Sequence, residues 1–214
     1  MGESDLHAFL KKVGAAFLLN QGCFLVDVEV PLSRFGQRRI HELDEHHVID
    51  VCGVGERFVR PRGIPDEGVD PRRLEVRQNV LRGVEVKVSR GDFRNGFFCT
   101  GCNYNYLLTP MRLVSPGSLP PGVGLIEYNR FKFSAELRED GPFGLRGLRV
   151  VRKTSFRSIS RYQVDNATSF MVKRRIESQP EEILRELTEG HRENGYSRPA
   201  APGERGSVAP EQQI

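Results

Sequence analysis

Cysteine is scarce. Four in 214 residues are too few for a disulfide scaffold in a chain of this length, so reduced thiols in a cytoplasmic setting are expected. No stretch approaches the ~20 consecutive apolar residues of a membrane span. The amino terminus lacks the basic, then apolar, then small-residue plan of a secretory leader. Membrane integration and secretion are therefore disfavoured. No G-x-x-x-x-G-K-[ST] loop occurs, which removes support for an ATPase. No Ser, His and Asp stand at a recognisable motif spacing, and no internal repeat is visible.

What is present is a globular composition, 38% hydrophobic and 28% charged, which allows a packed core. Lys and Arg number 32 against 28 Asp and Glu. That mild excess permits a polyanionic partner without requiring one. The distribution says more. Residues 41–56 carry five acids and no Lys or Arg, whereas residues 146–175 carry nine Lys or Arg against Asp165 alone. An acidic spot beside a basic flank suits a metal site next to a phosphate track. From charge alone, solvated surface faces account for both equally simply.

Apolar residues at helical spacing (Leu6, Leu10, Val13, Phe17, Leu18) predict a helix over residues 3–20, stopped by Gly22. Cys23–Pro31 reads as a strand with Phe24, Val26, Val28 and Val30 on one face and Asp27 and Glu29 on the other. Val48–Gly55 is a second strand. Residues 56–80, with three Pro and many charges, read as an insertion loop. Val84–Ser89 alternates strictly and is a third strand. Residues 90–103 leave room for one short helix at most. Tyr104–Pro110 and Gly122–Asn129 follow as strands. Phe131–Leu137 and Leu148–Lys153 are expected at the edges. Helices are expected over 167–176 and 180–187, with Pro180 in a first turn. The tail from Gly190 is rich in Gly, Pro, Glu and Ser and is expected to be disordered. The order predicts a sheet of the α/β or α+β kind with the first helix on one face.

The strongest chemical signal is Val84-Glu85-Val86-Lys87-Val88. On a strand Glu85 and Lys87 share a face. Paired charges on a partly buried face need a reason, because isolated ones are costly there. Asp50, between Ile49 and Val51, brings a second acid if the two strands are neighbours. Asp50, Glu85 and the Val86 carbonyl would make a hard oxygen site suited to Mg²⁺ or Mn²⁺. Lys87 would hold an attacking water and stabilise developing negative charge. The competing reading is an exposed cross-strand ion pair, worth only ~0.2–1 kcal/mol.

The ordered set GCFLVDVEVP, HHVIDVCGVGE, VEVKVSRGDF, YNYLLTP and LPPGVGLIEYN resembles the PD-(D/E)XK nuclease superfamily, and within it the MmcB-like DNA repair nucleases and related phage-borne proteins. The likeness covers roughly residues 5–130. It implies a restriction-endonuclease-like α/β core: a mixed central sheet in α-β-β-β-α-β order with a shortened second helix, flanked by helices. The core would span 1–138 with its insertion at 56–80. A basic extension, 139–189, would pack on it before the tail from 190. The resemblance implies a metal-dependent deoxyribonuclease in DNA repair, recombination or mobile-element maintenance. Asp50, Glu85 and Lys87 would be catalytic, and Asp50, Glu85 and Val86 would hold Mg²⁺ or Mn²⁺. Many such nucleases act as dimers, so a homodimer is one expectation. Archaeal junction resolvases of the superfamily carry a Glu on the first helix at a place that falls near Lys11 here. Glu29 is a candidate substitute acid. The alternative is a nuclease-like module that binds DNA or protein without cleaving.

Arg38, Arg39, Arg90 and Arg94 follow the first and third strands and are candidate phosphate contacts, with Arg152 and Lys153 in the basic extension. Tyr104, Tyr106 and Tyr128 could stack on bases, but packing on the sheet is the simpler role. Cys99 and Cys102 form a CxxC without the second pair a structural zinc needs. Cys23 and Cys52 read as small buried residues. His41, His46 and His47 precede Asp50 and could tune metal access from outside the ligand set.

Overall fold

The first helix, α1 (Asp5–Asn20), begins where the Ser4 hydroxyl accepts the His7 backbone N–H at 3.3 Å. It ends where Gln21 N–H returns to Phe17 O and Gly22 takes φ 77°, a left-handed turn that glycine adopts without strain. Its Leu10, Val13, Phe17 and Leu18 are buried against the sheet. Gly14 faces the same way; a Cβ there would lie 3.3 Å from Val51 Cγ2. The missing side chain lets α1 lie close over β2 and β3.

The computed structural model describes residues 4–32, 47–59, 76–96, 101–138 and 142–193, with side chains described for all of these but 47 and 179–193. Two compact units divide the chain, 1–173 and 174–214. The first contains α1, the strands β1 (Cys23–Leu32), β2 (His47–Val59) and β3 (Val76–Val86), the five-residue helix α2 (Arg90–Arg94), and β4 (Tyr104–Pro110) and β5 (Val123–Tyr128). Then come β6 (Ser134–Glu136), β7 (Gly144–Arg146), β8 (Leu148–Arg152) and the start of α3 (Arg161–Glu193). Of the second unit, the described part is the continuation of α3.

The protein is thus a mixed α/β structure around a six-stranded sheet in the order β1-β2-β3-β4-β5-β8. Pairing is antiparallel from β1 to β3, parallel from β3 to β5, and antiparallel again at β8. Strands β6 and β7 form a separate ribbon. One face of the sheet packs on α1 through Val51, Val84, Val86, Tyr106 and Leu108. On another cluster, Val30, Leu32, Cys52, Val54 and Leu81 pack with Val164, Ala167 and Met171 of α3. Each fully buried Leu or Val contributes about 1.5–3 kcal/mol. Among the described residues, no helix is long and apolar enough to cross a membrane.

Several local expectations are corrected. Strands β2 and β3 continue as a hairpin to Val59 and Val76, so residues 56–59 and 76–80 are paired rather than looped. The three Pro all fall in 60–75, outside the described residues. Strand β1 does not keep one apolar face. Its register shifts between Cys23 and Leu25 and Glu29 takes φ 53°. Phe24 is therefore 60% exposed, Val26 and Val28 pack with the α1 cluster, and Val30 joins the α3 cluster. The two expected carboxy-terminal helices are one, running through Pro180 to Glu193. The remainder of the tail, 194–214, lies outside the described residues.

Candidate active site

The carboxylate residues lie where β2 and β3 part. The last ladder pair is Val51 with Val84, one step before Asp50 and Glu85. Beyond it, Val86 N–H donates to the Asp50 side chain, at 2.8 Å to Oδ2, instead of continuing the backbone ladder. Asp50 thus ties the start of β2 to the end of β3, with its own side chain 16% exposed.

Glu85 is buried, at 8% exposure. Burial, then the charge of Asp50, pushes its carboxyl up to about 7, against the pull of Lys87 and His7. Lys87 Nζ lies 3.2 Å from Glu85 Oε1 and 3.4 Å from Asp92 Oδ1. Burial works against its ammonium form, yet Glu85 and Asp92 together raise its pKa above the ordinary lysine value. Lys87 is therefore a fixed cation at neutral pH. Asp92 is held by local chemistry. Ser89 Oγ accepts the Asp92 N–H at 3.0 Å, and Asp92 Oδ2 accepts the Val88 N–H at 3.2 Å. This reciprocal pair opens α2 directly after Lys87.

Helix α1 brings two cationic or potentially cationic groups to Asp50. His7 Nε2 lies 3.6 Å from Asp50 Oδ2 and 3.2 Å from Val86 O. Lys11 Nζ lies 3.6 Å from Asp50 Oδ1 and 2.8 Å from Glu29 Oε1. The left-handed backbone at Glu29 lets its carboxylate reach α1 although Val30 points to the opposite cluster. A non-glycine residue in that conformation costs on the order of 1 kcal/mol, set here against an ion pair whose Lys side chain is only 10% exposed.

Asp50, Glu85, Val86 and Lys87 are thus gathered in one place. Glu29 comes close through Lys11. His7, Lys11 and Asp92 complete the arrangement and were not singled out as site residues from the sequence. For Asp92 a signal existed, the Ser89-x-x-Asp92 cap spacing. The oxygens that could serve a hard cation are those of Asp50 and Glu85 and the Val86 carbonyl. Among the described residues, no group of three or more His, Cys, Asp or Glu is assembled as a metal cluster.

The expected phosphate contacts divide. Arg90 and Arg94 lie exposed on α2 immediately after Lys87. Lys153 is exposed after β8. Arg152 is engaged structurally: Nη1 donates to Pro116 O at 2.9 Å and Leu119 O at 3.1 Å, and Nη2 to Pro120 O at 3.0 Å. Arg38 and Arg39 lie outside the described residues, as do His41, His46, Cys99 and the side chain of His47. Tyr106 and Tyr128 are buried in the α1 cluster. Cys23, Cys52 and Cys102 are buried, and burial raises the Cys23 thiol to about 11.

No protein-family model and no curated protein matches the sequence. A solved structure of a protein of unknown function from Silicibacter pomeroyi is similar over 60% of this chain and 80% of that chain, at 16% identity and a TM-score of 0.32. A likeness at that score carries no argument here.

Proposed function

We propose that this protein is a metal-dependent nuclease that hydrolyses DNA phosphodiester bonds, built on a restriction-endonuclease-like core. One observation carries the reading. Asp50 of β2 meets, at the end of β3 some 35 residues further on, a buried Glu85 with its carboxyl raised to about 7 and, two residues after it, a Lys87 held cationic. The donors are the hard oxygens that Mg²⁺ or Mn²⁺ takes, and a bound divalent cation would share with Lys11 and Lys87 the offsetting of the two carboxylates. The order helix, three antiparallel strands, short helix, then a strand parallel to the third supports the same reading.

Asp50, Glu85 and the Val86 carbonyl would hold the metal, which when bound supplies Lewis-acid polarisation of a phosphoryl oxygen and a more acidic water. Lys87 holds the attacking water by hydrogen bonding and offsets charge growing on the phosphoryl oxygens. Asp92 fixes the Lys87 ammonium in place. His7, within reach of both Asp50 and Val86 O, orients the carboxylate and the carbonyl. Arg90 and Arg94, at the mouth of α2, meet backbone phosphates.

A second reading rests on Lys11. A cation already beside Asp50, at 3.6 Å, partly does what a metal would do, which favours a nuclease-like module that binds DNA without cutting. Incubation of the protein with linear, branched and single-stranded DNA in Mg²⁺, Mn²⁺ or EDTA separates the two. Cleavage that needs metal and is lost in Asp50→Ala and Lys87→Ala supports the nuclease. Salt-sensitive binding with intact DNA in every lane supports the module and refutes the nuclease.

A further inference from the structure

At the other end of the same strands lies a surface of different chemistry. Arg57 on β2 pairs with Gln78, seven residues along β3 from Glu85, or roughly 23 Å at strand rise. The Arg57 guanidinium carbon lies 3.9 Å over the ring of Phe156. Tyr104 meets that ring edge-on at 5.6 Å, and the Arg82 guanidinium carbon lies 5.1 Å over Tyr104. Arg82 Nη1 is buried over Gly55, on the side of the Cys23 thiol. On the opposite face of the same hairpin end, Arg77 lies 5.5 Å over the ring of Phe58, which is 55% exposed.

Phe156 is presented rather than stored. It is 39% exposed in a segment without helix or strand, yet the backbone on both sides is anchored. Thr154 Oγ1–H and Ser155 N–H donate to Gly122 O at 2.8 and 3.0 Å. Arg157 N–H donates to Asn103 O at 2.8 Å, and Arg157 O accepts from Asn103 Nδ2 at 3.0 Å. Asn103 is itself buried and accepts the Leu81 N–H at 2.9 Å. Lys153 and Arg157, three residues before and one after Phe156 in the chain, are both exposed. The described acid on the adjoining hairpin end, Glu56, is paired with Arg77 at 3.3 Å.

We propose that this arginine–aromatic platform binds single-stranded polynucleotide. A base freed from pairing has a flat π-face that extends the Arg57–Phe156 stack, and its flanking phosphates meet Lys153 and Arg157. A paired duplex hides those faces and contacts only the charges. The platform needs no metal and stands apart from the carboxylates, so it goes beyond the nuclease reading and survives its failure.

The chain contains no Trp, so Phe156→Trp installs a single reporter in the stack. The measurement is made in EDTA with Asp50→Ala also present, which keeps cleavage out of the readout. Oligothymidine and oligouridine are titrated separately, to tell a DNA source from an RNA one, and a blunt duplex hairpin serves as comparison. The expected result is saturable quenching by at least one single strand, weaker with the duplex and falling with salt. In fluorescence anisotropy with a labelled oligonucleotide, Phe156→Ala binds roughly tenfold more weakly than wild type, and Arg57→Glu is weakened as well. Unchanged emission with both single strands overturns the proposal. So does a Phe156→Ala protein, folded by circular dichroism, that binds as tightly as wild type.

Discussion

The two ends of the β2–β3 pair carry similar kinds of charge and use them in opposite ways. At the carboxylate end, Glu85 and Lys11 are buried and Lys87 half-buried, and they are paired at 2.8–3.6 Å among themselves and with Glu29, Asp50 and Asp92. At the hairpin end, Arg57, Arg77 and Arg82 lie over aromatic rings. The first arrangement alters the chemistry of its groups, as the raised carboxyl of Glu85 records. The second pairs only Arg77 with an acid, Glu56, and leaves the rings of Phe58 and Phe156 exposed. Burial with an opposed charge tunes a proton; exposure with a flat partner makes a recognition surface.

The largest break in this comparison would come from chemistry. If the carboxylate end is catalytic, Lys87→Ala lowers metal-dependent cleavage by about 10²–10³-fold while leaving oligonucleotide binding in EDTA intact. Single-turnover rates and anisotropy on the same protein give both numbers.

The next effect is one of pH. A carboxyl raised to about 7 in the folded metal-free protein binds a proton that the unfolded chain releases near its ordinary value. Folding stability is therefore greatest below that ordinary value and falls as pH rises through the range up to about 7, by up to about 3 kcal/mol. Urea melts in EDTA from pH 5 to pH 8 should display that fall in wild type and lose most of it in Glu85→Gln. A flat wild-type profile would mean that Glu85 is not held in the environment described.

Smaller again is Asn103→Ala. It strands the buried Leu81 N–H and removes one of the two hydrogen bonds between residue 103 and Arg157, costing about 1–3 kcal/mol by denaturant unfolding. It should weaken oligonucleotide binding while the pH profile of the carboxylate end stays as in wild type. Least of all, Arg57→Ala should change stability by less than about 1 kcal/mol and reduce the salt dependence of binding. Large destabilisation instead would make Arg57 a structural clasp on Phe156.

Much of this was legible locally. Alternation around Glu85 and the apolar setting of Asp50 located two strands and the acids on them, and strand boundaries at Tyr104–Pro110 match residue for residue. The hairpin was hidden because Glu56, Arg57, Arg77 and Gln78 put polar residues on both faces, which removes the period-two signal. His7 and Lys11 could not be read as site residues, because their role depends on how α1 docks over Gly14, a tertiary contact between remote segments. The face switch in β1 depends on a single φ angle at Glu29, which composition does not encode.

That same strand terminates the sheet order. Its outward row of amides and carbonyls is broken twice, by the slipped register after Cys23 and by the left-handed Glu29. An incoming β-segment would find no straight template longer than a few residues. The irregularity that delivers a carboxylate to Lys11 thus also guards this border of the described sheet against runaway strand addition.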